Sequence, residues 1–161
     1  MIEKGEFMFD TTYRIPMIIK DPLSNRKGEE DNNFVYLHDL TSTCNEVAGK
    51  KAPDFFDGES LLPILREGKN NDRKGVLGQL AGHFVAFEQR MWRRDDYKLI
   101  FNATDVGELY DLKNDPQELH NLFYDEKYSK IKREMLEELH AEMVKIKDPL
   151  ENWLYRIIYE I

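Results

Sequence analysis

Residues 76–112 read VLGQLAGHFVAFEQRMWRRDDYKLIFNATDVGELYDL. Five short segments, Val76–Leu80, His83–Phe87, Gln89–Arg93, Tyr97–Phe101 and Glu108–Leu112, lie between Gly, Asp and Asn breaks. Valine, isoleucine and aromatic residues in short runs bounded by turn residues are the pattern of strands. Arg94-Asp95-Asp96 and the stretch from Asn102 to Gly107 are suited to hairpin connections. The spacing predicts an antiparallel sheet of three to five strands.

Downstream, Asp115-Pro116 marks a turn. From about Asp125 to Lys147 the period changes. Tyr128, Ile131, Met135, Leu139, Met143 and Ile146 step by three and four and make one apolar stripe. The predicted long helix should lay that stripe on the sheet, with Met135 and Leu139 buried. A short apolar helix over Trp153–Ile161 is predicted to follow.

Upstream, Ile15-Pro16-Met17-Ile18-Ile19 is a brief apolar run ended by Asp21-Pro22, and it predicts a buried strand. A loop over 23–33 leads to a helix from about Phe34 to Ala48, with Asn33 as its cap and Leu37, Leu40, Cys44 and Val47 on one face. Ser60 and Pro63 open a second, short helix, Leu61–Arg66. The fold class is therefore α+β: a small antiparallel sheet covered by a long C-terminal helix, with a strand and helices before it.

Composition narrows the function classes. With 161 residues, 41% hydrophobic and 34% charged, the chain has the balance of a globular domain. A formal net charge of -8 disfavours nucleic acid and anionic membrane as partners. Any anion site must rest on local positive charge. The single cysteine, Cys44, has no partner for an intrachain disulfide and is expected to pack as a small hydrophobe. No apolar run approaches the ~20 residues of a membrane span, and Met1 to Phe9 has no basic stretch followed by an apolar one. The expectation for the chain as given is cytoplasmic. The four histidines, 38, 83, 120 and 140, do not pair at metal-ligand spacing, and there is no glycine-rich phosphate loop.

Four stretches carry a more specific message. Lys4-Gly5-Glu6-Phe7 is followed by Tyr13-Arg14-Ile15-Pro16-Met17-Ile18-Ile19. Leu37-His38-Asp39-Leu40-Thr41-Ser42-Thr43 runs on to Val47-Ala48-Gly49. Phe56-Asp57-Gly58-Glu59-Ser60-Leu61-Leu62-Pro63-Ile64-Leu65 comes third. The last joins Gln89-Arg90-Met91-Trp92-Arg93 and Tyr97–Asn102 to Glu108-Leu109-Tyr110-Asp111-Leu112-Lys113-Asn114-Asp115-Pro116-Gln117-Glu118 and Asn121-Leu122. Together they resemble the C-terminal portion of the type I, formylglycine-dependent sulfatases of the alkaline-phosphatase-like superfamily. Ser42 departs from that family's pattern, which has proline there.

The resemblance implies hydrolysis of sulfate esters, in which a formylglycine attacks sulfur and Ca²⁺ polarises the sulfate. It also implies a division into 1–74, the end of the large α/β domain, and 75–161, the C-terminal subdomain. Lys4 matches the family's sulfate-contacting lysine, whose ammonium offsets charge on the sulfate oxygens. His83, in Gly82-His83-Phe84, resembles a histidine that reaches the substrate in some sugar sulfatases. Gln89, Arg90 and Arg14 are further candidate substrate contacts, since a hydroxyl-rich sugar needs donors and acceptors at fixed points. Cys44 is followed by Asn45-Glu46-Val47 rather than the modification motif, and the family's Asp and Asn/His metal ligands have no counterpart here. The 161 residues are thus expected to be catalytically incomplete, with Ca²⁺ and formylglycine belonging to a complete enzyme and a sulfated small molecule or sugar as its substrate. Other readings of the same residues are a free-standing binding module or a subunit completing a separate chain. Self-association through an exposed edge strand at Ile15–Ile19 is a further expectation.

Overall fold

The computed structural model describes residues 7–82 and 87–160. The chain divides into two compact units. One comprises residues up to Pro16 together with those from Gly75 onward, and the other is Met17–Lys74.

In the first unit, β1 (Val76–Ala81), β2 (Glu88–Arg94), β3 (Tyr97–Asn102) and β4 (Glu108–Asp111) form one antiparallel sheet in the order β1-β2-β3-β4. Each strand pairs with its neighbour in sequence. The β2–β3 hairpin turns on Asp95 and Asp96, and Asp95 takes φ 50, a left-handed conformation that aspartate tolerates better than most residues. A 3₁₀ turn (Glu126–Tyr128) leads into a long helix, here α4 (Ser129–Lys145), and then α5 (Glu151–Tyr159). The numbering starts from α1, a single turn at Asp10–Tyr13, with α2 (Asp39–Val47) and α3 (Leu62–Glu67) in the second unit.

Strand alternation gives the sheet two different faces. Leu77, Trp92, Leu99 and Leu109 stand opposite one another in register on the first face. They pack with Phe101 against Met135, Leu139 and Met143 of α4 and Leu154 and Ile158 of α5. Met135 and Leu139 have 0% exposure, as the helical stripe predicts, whereas Ile146 at the end of the stripe is 48% exposed because α4 has ended one residue earlier. Trp92 Nε1 donates to Glu138 Oε2 at 2.9 Å, which ties the sheet to the flank of α4. Replacing Leu139 by Ala should leave a cavity in this closed core. The expected loss is about 2–5 kcal/mol of unfolding free energy, read from urea denaturation.

In the second unit α2 is shorter than the predicted Phe34–Ala48, and the face it buries is polar. Asp39, Ser42 and Thr43 are buried, while Leu37, Val47 and Cys44 are exposed. Hydrogen bonds account for this reversal. The Asp39 carboxylate accepts from Tyr36 N (2.7 Å), Glu59 N (2.9 Å) and Arg73 Nη2 (2.8 Å). Ser42 Oγ donates to Gly58 O at 2.6 Å, and Thr43 Oγ1 accepts from Leu61 N at 2.9 Å. The helix is seated by its polar side, so Cys44 does not pack as a small hydrophobe. α3 matches its prediction closely and ends at Gly68, whose φ of 65 provides the left-handed cap.

The strand predicted at Ile15–Ile19 is absent. Residues 14–20 have no regular secondary structure, and Ile18 is almost wholly exposed. Its apolar composition suits a buried strand, but no described strand pairs with it. The sheet is built only from residues 76–111. The strand expected at His83–Phe87 falls mostly outside the described residues. Among the described residues no helix is long and apolar enough to cross a membrane.

Candidate functional site

The second face of the sheet is unusually polar for a buried surface. Met91, Ile100 and Tyr110 form a small apolar patch there with Met8. Around that patch stand Gln89, Lys98 and Asn102, each at least 95% buried. Buried polar groups are tolerated where their hydrogen bonds are made, so their partners decide what they do.

Lys98, the second residue of β3, has 0% exposure. A lysine ammonium has three N–H donors, and all three find acceptors. They go to Glu118 Oε1 at 2.8 Å, to Met8 O at 3.2 Å, and to the carboxylate of Asp10. Asp10 also meets Arg93 Nη1 through its second oxygen at 3.2 Å. Its backbone N–H donates to Glu118 Oε2 at 2.7 Å. Glu118 serves both partners from φ 56, a conformation that costs a non-glycine residue energy and persists where the surroundings impose it. The cluster thereby fastens residues 8–10 to a sheet that begins more than sixty positions later.

A second chain of hydrogen bonds runs along the same face. Tyr110 OH donates to Glu108 Oε2 at 2.6 Å, and Asn102 Nδ2 donates to Glu108 Oε1 at 2.8 Å and to Val106 O at 2.6 Å. Burial first, and then the Glu108 carboxylate, push the Tyr110 phenol well above its ordinary value. Those contacts fix the Asn102 amide, so Asn102 Oδ1 must accept, and Gln89 Nε2 donates to it at 2.6 Å. Gln89 Oε1 is left buried without a donor among the described residues.

On the first face Arg90 is 4% exposed. Its Nε donates to Asp148 Oδ2 at 2.6 Å, and Nη1 meets Glu88 Oε2 at 3.0 Å. Gln79 Nε2 adds a bond to Asp148 Oδ2 at 2.6 Å, and Leu150 N donates to Asp148 Oδ1 at 2.9 Å. Burial alone would raise the Asp148 carboxyl, but Arg90, Leu150 and Gln79 together hold it below the ordinary value. Asp39 is lowered in the same way, with Arg73, Tyr36 and Glu59 outweighing burial. The folded values lie below an unfolded value of about 3.9. These carboxylates therefore contribute stability that is fully present above that value and is lost as pH falls through the folded values. The urea midpoint should hold steady from pH 7 down to about 5 and fall steeply below about 4. A midpoint unchanged at pH 3 would contradict this.

The sequence-predicted contacts are thus dispersed. Gln89 and Arg90 sit side by side in β2 but point to opposite faces, each engaged with its own partners. The Arg14 side chain is 72% exposed, with Asp10 Oδ2 at 4.0 Å. Lys4 and His83 lie outside the described residues. Sequence reasoning did not single out Lys98, Asp10 or Glu118. The available signal was a lysine inside the run Tyr97-Lys98-Leu99-Ile100-Phe101, where alternation places it on the same face as Ile100. Among the described residues no group of three or more His, Cys, Asp or Glu side chains is arranged to hold a metal ion.

Comparison with known proteins adds to this geometry. The family described as N-sulphoglucosamine sulphohydrolase, C-terminal, matches residues 3–145. The uncharacterized sulfatase YidJ of Escherichia coli is 30% identical over 164 residues, covering 98% of this chain and 31% of that protein. The N-acetylglucosamine-6-O-sulfatase of Bacteroides thetaiotaomicron is 32% identical over 151 residues, covering 88% of this chain and 27% of that protein. A solved structure in complex with its substrate, D-glucosamine-2-N,6-O-disulfate, superposes with a TM-score of 0.63 at 30% identity, over 69% of this chain and 24% of its own. The chain spans less than a third of each of these proteins.

Proposed function

Since the chain belongs to the family N-sulphoglucosamine sulphohydrolase, C-terminal, we propose that it forms the C-terminal part of a sulfatase that hydrolyses sulfate esters of a sulfated sugar. The observation that carries this reading is the likeness to an N-acetylglucosamine-6-O-sulfatase across 88% of the chain.

Within that reaction Lys4 offsets negative charge on the sulfate oxygens. His83 supplies a polar contact to the sugar. Gln89, buried and bonded to Asn102 Oδ1 at 2.6 Å, holds β2 against β3 rather than meeting substrate itself. The charge of Arg90 is already met by Asp148 and Glu88, so its part is to hold β2 in place. Arg14, exposed beside its 4.0 Å contact with Asp10 Oδ2, is accessible to an anionic group.

Formylglycine and Ca²⁺ supply the nucleophile and the Lewis acid in this family. The residues described here do not fit either group. Cys44 is exposed and outside the modification motif, and no described carboxylate cluster forms an oxygen cage. Both groups would be held by residues outside this chain, and the chain by itself is inactive. The exposed apolar residues Ile15 and Ile18 also give it a tendency to self-associate, which sedimentation at high concentration would register.

The test is a chimera. The chain replaces the matched C-terminal part of the Bacteroides relative, and sulfate release from N-acetylglucosamine 6-sulfate is measured. Turnover well above that of the relative lacking its C-terminal part is expected. A folded chimera that releases no sulfate from any sugar sulfate would overturn the reading.

A further inference from the structure

We propose that a cleft in the second unit is a binding site for a small organic ammonium ion. The cleft has a volume of about 290 Å³ and is lined by His38, Thr41, Phe55, Phe56, Asp57 and Gly58. All six belong to the one compact unit, Met17–Lys74. Phe55 and Phe56 meet at 87°, with ring centroids 5.1 Å apart. Two aromatic walls at right angles can contact one guest from two sides, and a phenyl face attracts a cation through its quadrupole. Phe55 is 78% exposed, although burial of a phenyl ring is favourable. Asp57 adds a carboxylate to the same lining, and among the described residues no ion pair or hydrogen bond engages it. Lys51, the lysine nearest to it in sequence, is joined to Asp54 at 2.6 Å. An ammonium ion therefore meets a counter-charge and two rings in one cleft. An anion, a sulfated sugar included, is opposed by Asp57 and by the net charge of -8. The ligand is thus opposite in charge to the substrate proposed above, and the inference does not rest on that reading.

The polar seat of α2 holds the walls of this cleft together. His38 and Thr41 stand at the start of α2, while Asp57 and Gly58 lie in the loop before α3. Ser42 Oγ donates to Gly58 O at 2.6 Å, and Glu59 N donates to Asp39 Oδ1 at 2.9 Å, so the loop is tied to the helix on the residues that follow Asp57. Gly58 lets the two approach closely: a Cβ there would stand 2.6 Å from His38 O and 3.0 Å from His38 Cδ2. The His38 ring stacks on Tyr36 at 4.7 Å and 15°, and the Arg73 guanidinium lies over the Tyr36 ring at 4.9 Å. Walls fixed before the ligand arrives lose little freedom when it binds.

The experiment titrates the isotope-labelled 161-residue chain by NMR at constant ionic strength, with choline as the probe. Its uncharged isostere is dimethylbutanol, in which carbon replaces the ammonium nitrogen. Choline should produce saturable shifts at His38, Phe55, Phe56 and Asp57, with about tenfold higher affinity than dimethylbutanol. Asp57→Asn should weaken choline about fivefold and leave dimethylbutanol unchanged. Phe55→Leu should weaken choline about two- to fivefold. Both positions are exposed, and an unchanged amide spectrum elsewhere confirms that each variant is folded. A response to choline that never saturates overturns the proposal. So does equal affinity for choline and dimethylbutanol, which would make the cleft apolar only. Preference for glucose over choline would make it a sugar site and overturns the proposal too, as does an Asp57→Asn variant that binds choline undiminished.

Discussion

Purified as these 161 residues, the protein should release no sulfate from aryl or sugar sulfates, even with Ca²⁺ added and a formylglycine-generating enzyme present. Cleavage by the sulfatase route needs a nucleophile, a metal to polarise the sulfate, and cations to hold its charge. On the proposed reading this chain offers only the last of these, through Lys4; among the described residues no group of three or more His, Cys, Asp or Glu side chains is arranged to hold a metal ion. Cys44 is exposed on α2 and is followed by Asn45-Glu46-Val47 rather than the modification motif, so a formylglycine-generating enzyme is not expected to modify it. Loss of a nucleophile in other hydrolases costs about six orders of magnitude, and residual positioning cannot restore that. The measurement is sulfate release against a buffer blank. Turnover that survives repeated purification and a Lys4→Ala change would reveal a second site and sink the argument.

The largest stability effect is expected at Lys98. Lys98→Met fills the same space but leaves Glu118 and Asp10 buried with one fewer counter-charge. Asp10 keeps Arg93, whereas Glu118, whose side chain is 2% exposed, keeps only the Asp10 N–H among the described residues. Breaking one side of a buried ion pair costs about 3–5 kcal/mol, because the remaining charge stays in a poorly solvated place. Urea denaturation of Lys98→Met should show a loss of that size. Adding Glu118→Met to the same chain should recover much of it, since an apolar pair replaces a stranded carboxylate. A double variant as unstable as the single one would mean that the cost lies in packing rather than in charge.

The sheet and α4 were legible in the sequence because both announce themselves by period. Short β runs between turn residues gave an antiparallel sheet of three to five strands, four of which the described residues contain, and the steps of three and four gave the buried positions Met135 and Leu139. α2 was misread for the opposite reason. Its apolar residues Leu37, Cys44 and Val47 suggest a core face, but the helix is held by Asp39, Ser42 and Thr43, whose partners Gly58, Leu61 and Arg73 lie 16 to 34 residues away. Hydrophobic periodicity carries no information about such bonds. Ile15–Ile19 has a strand's composition, but a strand requires a partner, and none is described beside it. The ion cluster was invisible because its members, at 10, 98 and 118, are linked by no spacing rule. Lys4 and His83 drew notice through family resemblance alone.

The sheet order also fixes a sequence of events. β1 to β4 pair only with their neighbours along the chain, so their loops are short and closing them costs little entropy. The bonds that seat Asp10 span 88 and 108 residues. They can form only once β3 and the turn at Glu118 are in place. The segment that leaves the ribosome before the sheet is therefore the last to find its seat, and it spends that interval with Met8 and Phe9 uncovered. Lys98→Met should accordingly speed unfolding while leaving the folding rate nearly unchanged. A cell making this chain has an exposed apolar segment around Met8 to protect until the sheet is complete.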